Sequence, residues 1–336
     1  MFSPGVPMTS AEVMMDAKPG PNALERCRIA VLVPCYNEEK SIAKVVADFR
    51  AALPQAPVYV YDNNSSDRTL EVAQKAGAVV RRERHQGKGR VVRRMFTDVE
   101  ADIYVLVDGD ATYDALSARP MILRLLEQRL DMVVAARVDQ DKAAYRAGHR
   151  AGNRLLTSFV TLVFGRVFSD ILSGYRVFSR RFVKSFPVLS GGFEIETELT
   201  VHALELELPV GEVETPYYAR VAGSMSKLNT WRDGFRILWT IVRLYRSERP
   251  LQFFSAIGAV LVVTSILLAI PVVATFLREG VVPRLPTAIL STGLMLSALL
   301  SFMSGLILDT VTRGRRELKL LAYLAHRAPG EERRQT

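Results

Sequence analysis

Residues 103–110 read Ile103-Tyr104-Val105-Leu106-Val107-Asp108-Gly109-Asp110. A short uncharged run ends abruptly in two carboxylates separated by a glycine. The run is brief and rich in Val and Leu, the signature of a strand buried on both faces. Two carboxylates at a strand end, joined by a residue that lets the chain bend, can converge on one hard cation. Mg2+ and Mn2+ sites use one or two carboxylates and leave the remaining positions to substrate phosphates and water.

The same pattern repeats on either side. Residues 29–34, 58–62, 78–80 and 132–136 read as further buried strands. Residues 38–53, 67–76, 88–99 and 114–130 carry helix-like spacing. Strand alternating with helix predicts an α/β domain, Rossmann-like, with a mostly parallel sheet covered on both faces. Ligands of such sheets sit at the carboxyl ends of the strands. Beyond it, residues 147–207 read as two helices flanking a loop centred on Ser173-Gly174-Tyr175-Arg176, and 210–218 as a last strand. The sheet domain is expected over residues 27–227.

The 336 residues carry a net charge of +9, are 49% hydrophobic and 24% charged, and have a mean hydropathy of +0.12. A disordered or collagen-like chain is excluded. The apolar residues are concentrated in two uncharged runs, 251–277 and 285–308. At the helical rise each exceeds the roughly 30 Å hydrocarbon core of a bilayer. A two-helix transmembrane hairpin is therefore expected over 251–310, followed by a basic cytoplasmic tail over 311–336. Before it, 228–250 is amphipathic: Trp231, Phe235, Leu238, Trp239, Val242 and Tyr245 form one stripe, opposite Arg232, Arg236, Arg243 and Arg246. That pattern suits a helix lying in the membrane interface. The positive charge then points to an anionic membrane surface or a phosphorylated substrate, not to nucleic acid.

Residues 1–26 hold no apolar run and read as a disordered leader, not a signal peptide. Cys27 and Cys35 show no framework spacing, which suits a reducing compartment. Arg243, Arg246 and Arg249 stand before the hairpin, and Arg313, Arg315, Arg316 and Lys319 after it. The positive-inside rule puts both flanks, and the sheet domain, in the cytoplasm. A bacterial inner membrane is the expected location. Gly293, Ser297, Ser301 and Gly305 recur every fourth residue, a small-residue stripe expected to face the first span or another protomer.

Three further loops carry candidate chemistry. Pro34-Cys35-Tyr36-Asn37-Glu38-Glu39 closes the first strand; its glutamates would repel a phosphate, so a ribose or base is its expected partner. Tyr36 lies either in the core or in the pocket. Asp62-Asn63-Asn64-Ser65-Ser66-Asp67 closes the second strand, with Asp62 placed to accept hydrogen bonds. Gly87-Lys88-Gly89-Arg90 is a cationic loop opening a helix and suits phosphate contact.

The order PCYNEE, YDNNSSD, GKG, DGD, SGYR, GFEIETEL and RVAGSMSKL resembles the family 2 glycosyltransferases of the GT-A fold. Within them it is most similar to the dolichyl-phosphate mannose synthase branch, the polyisoprenyl-phosphate glycosyltransferases. The resemblance implies a membrane-bound enzyme that moves a sugar from a nucleotide sugar, GDP-mannose or a UDP-hexose, to a polyisoprenyl phosphate. By the same resemblance Pro34, Tyr36, Glu38, Asp62 and Lys88 hold the nucleotide sugar. Asp108 and Asp110 hold Mg2+ or Mn2+, with Asp108 also near the ribose. Glu196, with Glu198 beside it, heads an acceptor-side helix. Where related mannose synthases often carry Gln, this chain has Thr112, whose hydroxyl, directly or through water, is the candidate third ligand. A ceramide-type hydroxyl lipid as acceptor, and an inactive nucleotide-sugar-binding protein, are the alternative readings.

Arginines suit a phosphate-bearing acceptor, because the guanidinium matches phosphate at two points. Arg137 ends the fifth strand, Arg150 lies on a helix with Arg146 and Arg154, and Arg176 lies in the SGYR loop. These three are the expected acceptor-phosphate contacts. A lipid monophosphate is already largely dianionic at neutral pH and needs no strong base. Its direct attack on the anomeric carbon inverts configuration. Asp110, Arg137 and Glu196 are then the expected catalytic residues, Glu196 positioning sugar or acceptor.

Overall fold

The computed structural model describes residues 23–139, 168–188, 191–192, 194–220, 239, 242–243 and 245–330. Two compact units result: one from the chain up to Leu228 and again from Lys319 on, the other over Asn229–Leu318.

In the first unit the elements run α1 (Ala23–Arg26), β1 (Ile29–Cys35), α2 (Ile42–Ala52), β2 (Val58–Asp62), α3 (Thr69–Lys75), β3 (Val79–Arg82), α4 (Lys88–Asp98), β4 (Ile103–Leu106), α5 (Ala118–Glu127), β5 (Met132–Asp139), β6 (Arg176–Ser179), α6 (Arg180–Ser185), α7 (Ile195–Glu205) and β7 (Val210–Tyr217). The described strands form one seven-stranded sheet in the order β3-β2-β1-β4-β6-β5-β7. β1 pairs in parallel with both β2 and β4. The chain therefore winds outward in two directions from the β1–β4 pair, the topology that opens a crevice at the strand ends. β1 is buried from Ala30 to Cys35, which is why its sequence is almost unbroken Val, Ile, Leu and Ala. α2 and α5 cover one face, joining Phe49, Val46, Met121 and Leu125 to Val31 and Val105 in one core.

The expected strands are present, with one addition. β6 lies antiparallel between β4 and β5, with Arg176 opposite both Leu106 and Val134. Part of the stretch read as a loop at SGYR is thus a central strand. The expected leader is corrected at its end: Ala23–Arg26 is a helical turn, and Leu24 packs against the core. Residues 1–22 lie outside the described residues, as does most of the expected interfacial helix; of its stripe, Trp239 is exposed.

The second unit contains most of two helices, α8 (Pro250–Glu279) and α9 (Leu285–Leu324). Among the described residues these two are long and apolar enough to cross a membrane, and their apolar side chains are largely exposed. Gly280, left-handed at φ 69°, ends α8. The helices pack through Gly258, Ser265 and Val272 on α8 and Ser291, Ala298 and Gly305 on α9. Their seven-residue spacing is that of a coiled-coil seam. Ser265 Oγ donates to the Ser291 carbonyl at 2.7 Å, and Ser301 Oγ to that of Phe254 at 2.9 Å. A Cβ on Gly305 would lie 3.0 Å from that of Phe254, whereas nothing lies within 4 Å at Gly293. The expected stripe is therefore split: Ser301 and Gly305 face α8, while Gly293 does not.

α9 does not stop where the apolar run stops. Its last turns belong to the first unit, where Lys319 Nζ meets Glu205 Oε2 at 2.6 Å and the Tyr323 hydroxyl donates to Asp131 Oδ2 at 2.8 Å. Asp131 is fully buried and also receives both Nε and Nη2 of Arg181. The expected tail from residue 311 is thus helical to Leu324, because Arg-Arg-Glu-Leu-Lys-Leu-Leu-Ala are all good helix formers.

Candidate active site

At the end of β4 the chain turns sharply. Ala111 adopts a left-handed φ of 58°, a conformation that costs an L-residue about 1–2 kcal/mol. The turn brings Thr112 back onto Asp110: its hydroxyl donates to Asp110 Oδ1 at 2.6 Å, and its amide lies 3.3 Å from the same oxygen. Arg220 Nη2 lies 2.8 Å from Asp110 Oδ2. The Tyr218 amide donates to the Thr112 carbonyl at 2.9 Å, tying this turn to the chain just beyond β7. Thr112 thus orients the Asp110 carboxylate.

Asp108 faces the SGYR segment. A Cβ on Gly174 would sit 2.3 Å from Asp108 Oδ2, so only glycine lets the two approach. The Gly174 amide donates to the Tyr113 hydroxyl at 2.9 Å. Burial holds that phenol well above its ordinary pKa, so it stays neutral.

Lys88, the first residue of α4, bridges the site. Its Nζ lies 2.5 Å from Asp108 Oδ1 and 2.5 Å from Glu196 Oε1. Burial alone would lower the lysine pKa, but the two carboxylates outweigh it and raise it, which favours the ammonium form. Gly87 before it has φ 133°, and a Cβ there would fall 1.9 Å from the Gly191 carbonyl oxygen. The Gly89 amide donates to the Gly192 carbonyl at 3.2 Å. These contacts hold the start of α7 beside α4, which carries Glu196 to Lys88. In the first turn of α7 the helix dipole also favours the Glu196 carboxylate.

The loops after β1 and β2 are knitted together. Asn37 accepts from the Ser66 amide and its own amide donates to Ser65 Oγ, both at 2.8 Å. The Glu38 amide donates to Thr69 Oγ1 at 2.8 Å. Ser41 Oγ donates to Glu38 Oε2 at 3.1 Å and to the Gly109 carbonyl at 2.8 Å, linking this loop to the Asp-Gly-Asp turn. Asp62 is buried, accepts from the Ser65 amide and pairs with Arg82 at 3.3 Å. Asn63 accepts from the Gly87 amide at 2.7 Å, fixing the loop before Lys88. Pro34 is buried within β1 opposite Tyr61, and Tyr36 is 38% exposed, which takes it out of the core.

Of the three expected acceptor arginines, Arg137 lies at the end of β5, half-buried. Its Nε and Nη2 meet Asp170 at 2.6 and 2.8 Å, and its guanidinium lies 5.4 Å from the centre of the Tyr217 ring. Glu212 accepts from the Ser169 and Asp170 amides, which fixes the Asp170 segment. Arg176 corrects the sequence reading. It is fully buried, and its nitrogens donate to the Ile171 and Ser173 carbonyls and to Thr200 Oγ1. A headgroup cannot reach it. Arg150 lies outside the described residues. Asp170 and Glu212 were not legible in the sequence, since nothing local marks them as partners of a strand-end arginine.

Among the described residues no group of three or more His, Cys, Asp or Glu converges as a metal cluster. The candidate oxygen donors are Asp108 and Asp110. Two hard carboxylates with no soft ligand fit Mg2+ or Mn2+ completed by phosphate and water, and do not fit a self-sufficient structural site.

Residues 30–186 match the family described as Glycosyl transferase family 2. The chain is 33% identical over 291 residues to the glycosyltransferase AglJ of Haloferax volcanii, spanning 86% of this chain and 95% of that protein. It is 28% identical over 221 residues to the dolichyl-phosphate hexose transferase of the same organism, spanning 66% of this chain and 95% of that one. In three dimensions it is similar to glucosyl-3-phosphoglycerate synthase from Mycobacterium tuberculosis, solved with Mn2+, UDP and glucosyl-3-phosphoglycerate. The TM-score is 0.55 at 21% identity, covering 73% of this chain and 85% of that one. At that identity the likeness concerns the fold alone.

Proposed function

The chain belongs to glycosyl transferase family 2, and from that premise we propose that it moves a hexose from a nucleotide sugar to a polyisoprenyl phosphate at a membrane surface. The observation that carries this reading is the bridging of Asp108 and Glu196 by Lys88, with Asp110 two residues beyond Asp108 and paired with Arg220, at the strand ends beside the β1–β4 crevice. A dolichyl-phosphate hexose transferase among the relatives supports the lipid phosphate, and two exposed apolar helices supply a hold on its membrane.

In this reading Asp108 and Asp110 hold Mg2+ or Mn2+. When bound, the cation supplies positive charge to the diphosphate of the donor. Tyr36 and the loops held by Asn37 and Asn63 bind the nucleoside, with Pro34, Glu38 and Asp62 shaping them. Lys88 and Arg220 stabilise the departing nucleoside diphosphate. Arg137 orients the acceptor phosphate through its planar fork. A phosphate oxygen of the acceptor bonds to the anomeric carbon as the bond to the nucleoside diphosphate breaks. The electron pair leaves with the diphosphate, and the configuration inverts. Glu196, already carrying Lys88, positions the sugar rather than taking a proton. In this reading the sheet domain faces the cytoplasm, an orientation that the arginines flanking the hairpin support.

The test is a panel of UDP- and GDP-sugars offered to the purified full-length protein with polyisoprenyl phosphate or ceramide. Sugar on polyisoprenyl phosphate, lost in EDTA and restored by Mg2+ or Mn2+, is expected. Transfer to ceramide alone, or none with any pair, overturns the proposal.

A further inference from the structure

Arg176 is among the largest fully buried side chains of the protein. Burial lowers its pKa to about 10, opposed by the more distant charges of Glu196 and Asp170, so it remains a cation at neutral pH. Among the described residues no carboxylate pairs with it directly. A buried charge without a direct counter-ion costs several kcal/mol relative to a well-packed apolar side chain. Something in this arrangement therefore requires a guanidinium.

Its contacts fall on two elements that flank the reacting groups. On one side Nε donates to the Ser173 carbonyl at 3.0 Å and Nη2 to that of Ile171 at 2.6 Å. The next residue, Gly174, is the one pressed against Asp108. On the other side Nη1 donates to Thr200 Oγ1 at 2.9 Å, and that hydroxyl donates to the Glu196 carbonyl at 3.0 Å. The chain from Arg176 through Thr200 thus ends on the backbone of Glu196, one helical turn away. Lys88 bridges Asp108, which lies against Gly174 of the first wall, and Glu196 of the second. A planar fork with five donors can hold acceptors on both sides at once, whereas an ammonium on a flexible stem cannot fix them in one plane.

We propose that Arg176 is a positioning residue for glycosyl transfer: it staples the Ile171–Gly174 turn to α7 and so sets the separation of Asp108 and Glu196 that Lys88 bridges. The inference rests on the transferase reading of this site. It differs from a role in acceptor binding, because Arg176 touches no surface from which an acceptor arrives.

The experiment uses the full-length protein in detergent, as wild type, Arg176→Ala, Thr200→Val and the double variant. Arg176→Ala is expected to lower kcat about 10- to 100-fold, the usual scale for a group that supports reacting residues from behind. The dissociation constant for the nucleoside diphosphate and KM for the lipid phosphate should change far less. Guanidinium at non-denaturing millimolar concentration should restore part of the lost rate by refilling the vacated space. Thr200→Val should fall in the same direction by less, and the double variant should be no worse than Arg176→Ala alone, since both cut one connection. Hydrogen exchange in the same samples reads the staple without turnover: segments 171–176 and 194–200 should loosen together while β1 and β4 stay protected. If wild type transfers no sugar, the transferase reading fails, and the exchange data still judge the staple. If Arg176→Ala does not fold, Thr200→Val decides alone. Wild-type kcat in Thr200→Val, loosening of only one segment, or a kcat loss that guanidinium does not relieve would overturn the proposal.

Discussion

Arg137 closes on Asp170 through two parallel contacts, Nε to Oδ2 at 2.6 Å and Nη2 to Oδ1 at 2.8 Å. A carboxylate thereby uses the same fork that a phosphate oxygen pair would use. In the proposed reaction the acceptor phosphate would compete with Asp170 for this one guanidinium, at the end of β5 and against the Tyr217 ring. Arg137→Lys keeps the charge and loses the fork, so use of the lipid phosphate should fall while nucleotide-sugar binding holds. Arg137→Ala should lower kcat/KM for the lipid by about 30- to 1000-fold, or roughly 2–4 kcal/mol. Equal loss of nucleotide-sugar affinity, read by calorimetry, would move Arg137 to the donor side.

Asp110 is held from three directions, by the Thr112 hydroxyl, the Thr112 amide and Arg220. Asp110→Asn preserves its shape and halves the charge that the Asp108–Asp110 pair offers to a cation. Turnover should drop by about 100-fold or more, on the scale of a lost electrostatic group at a reaction centre. The midpoint of thermal unfolding should stay near that of the wild type. Undiminished transfer in this variant, or in EDTA, would show that the pair serves no metal.

His202 supplies a pH dependence of stability. It is buried between Phe182 and Phe186, with Nε2 3.2 Å from Ser185 Oγ and no partner for Nδ1. Burial first, and then Lys319, lower its pKa from 6.5 to about 3. The folded protein keeps this ring neutral, while the unfolded chain takes up a proton below pH 6.5. Stability is therefore full above that value and declines as the pH falls toward 3. At pH 5 the loss amounts to about 2 kcal/mol. His202→Gln should flatten this acid limb in unfolding curves measured between pH 7 and 4. Parallel curves for wild type and variant would exclude the histidine as the cause.

Gly293 and Gly305 of α9 separate by environment. Gly305 has Phe254 and Leu251 of α8 against it, and Gly293 has nothing. Gly305→Leu should force the helices apart and cost about 1–3 kcal/mol by overpacking. Gly293→Leu should leave the melting temperature in detergent unchanged. Equal effects of the two would mean that the seam runs through another face.

Much of this architecture is written locally. β1, β2 and β4 are short apolar runs whose ends carry Glu38, Asp62 and Asp108, and their parallel pairing follows from the helices between them. β6 escapes such reading because its first residue is an arginine, a residue almost never fully buried without a partner. Its acceptors, Ile171, Ser173 and Thr200, are gathered by the fold, not by spacing. The same holds for the Lys88 bridge: the lysine and Asp108 are each recognisable, but their joining through Glu196 depends on the contacts of Gly87 and Gly89 with residues 191 and 192. The helix seam follows a different period from the four-residue stripe, which meets it at Ser301 and Gly305. A four-residue step drifts around an α-helix, whereas the observed contacts at Ser291, Ala298 and Gly305 keep to sevens.

The last turns of α9 have a consequence for the order in which the protein is made. Asp131 and Glu205 are buried in the sheet domain, yet Tyr323 and Lys319 that meet them are added only after both apolar helices have been synthesised. A nascent chain paused between Tyr217 and Lys319 carries the whole described sheet and both candidate metal carboxylates, but leaves Asp131 without its tyrosine and Glu205 without its lysine. Translation thus delivers the sheet before the two side chains that meet Asp131 and Glu205. Completion of the sheet domain therefore waits on residues that lie beyond both apolar helices in the chain.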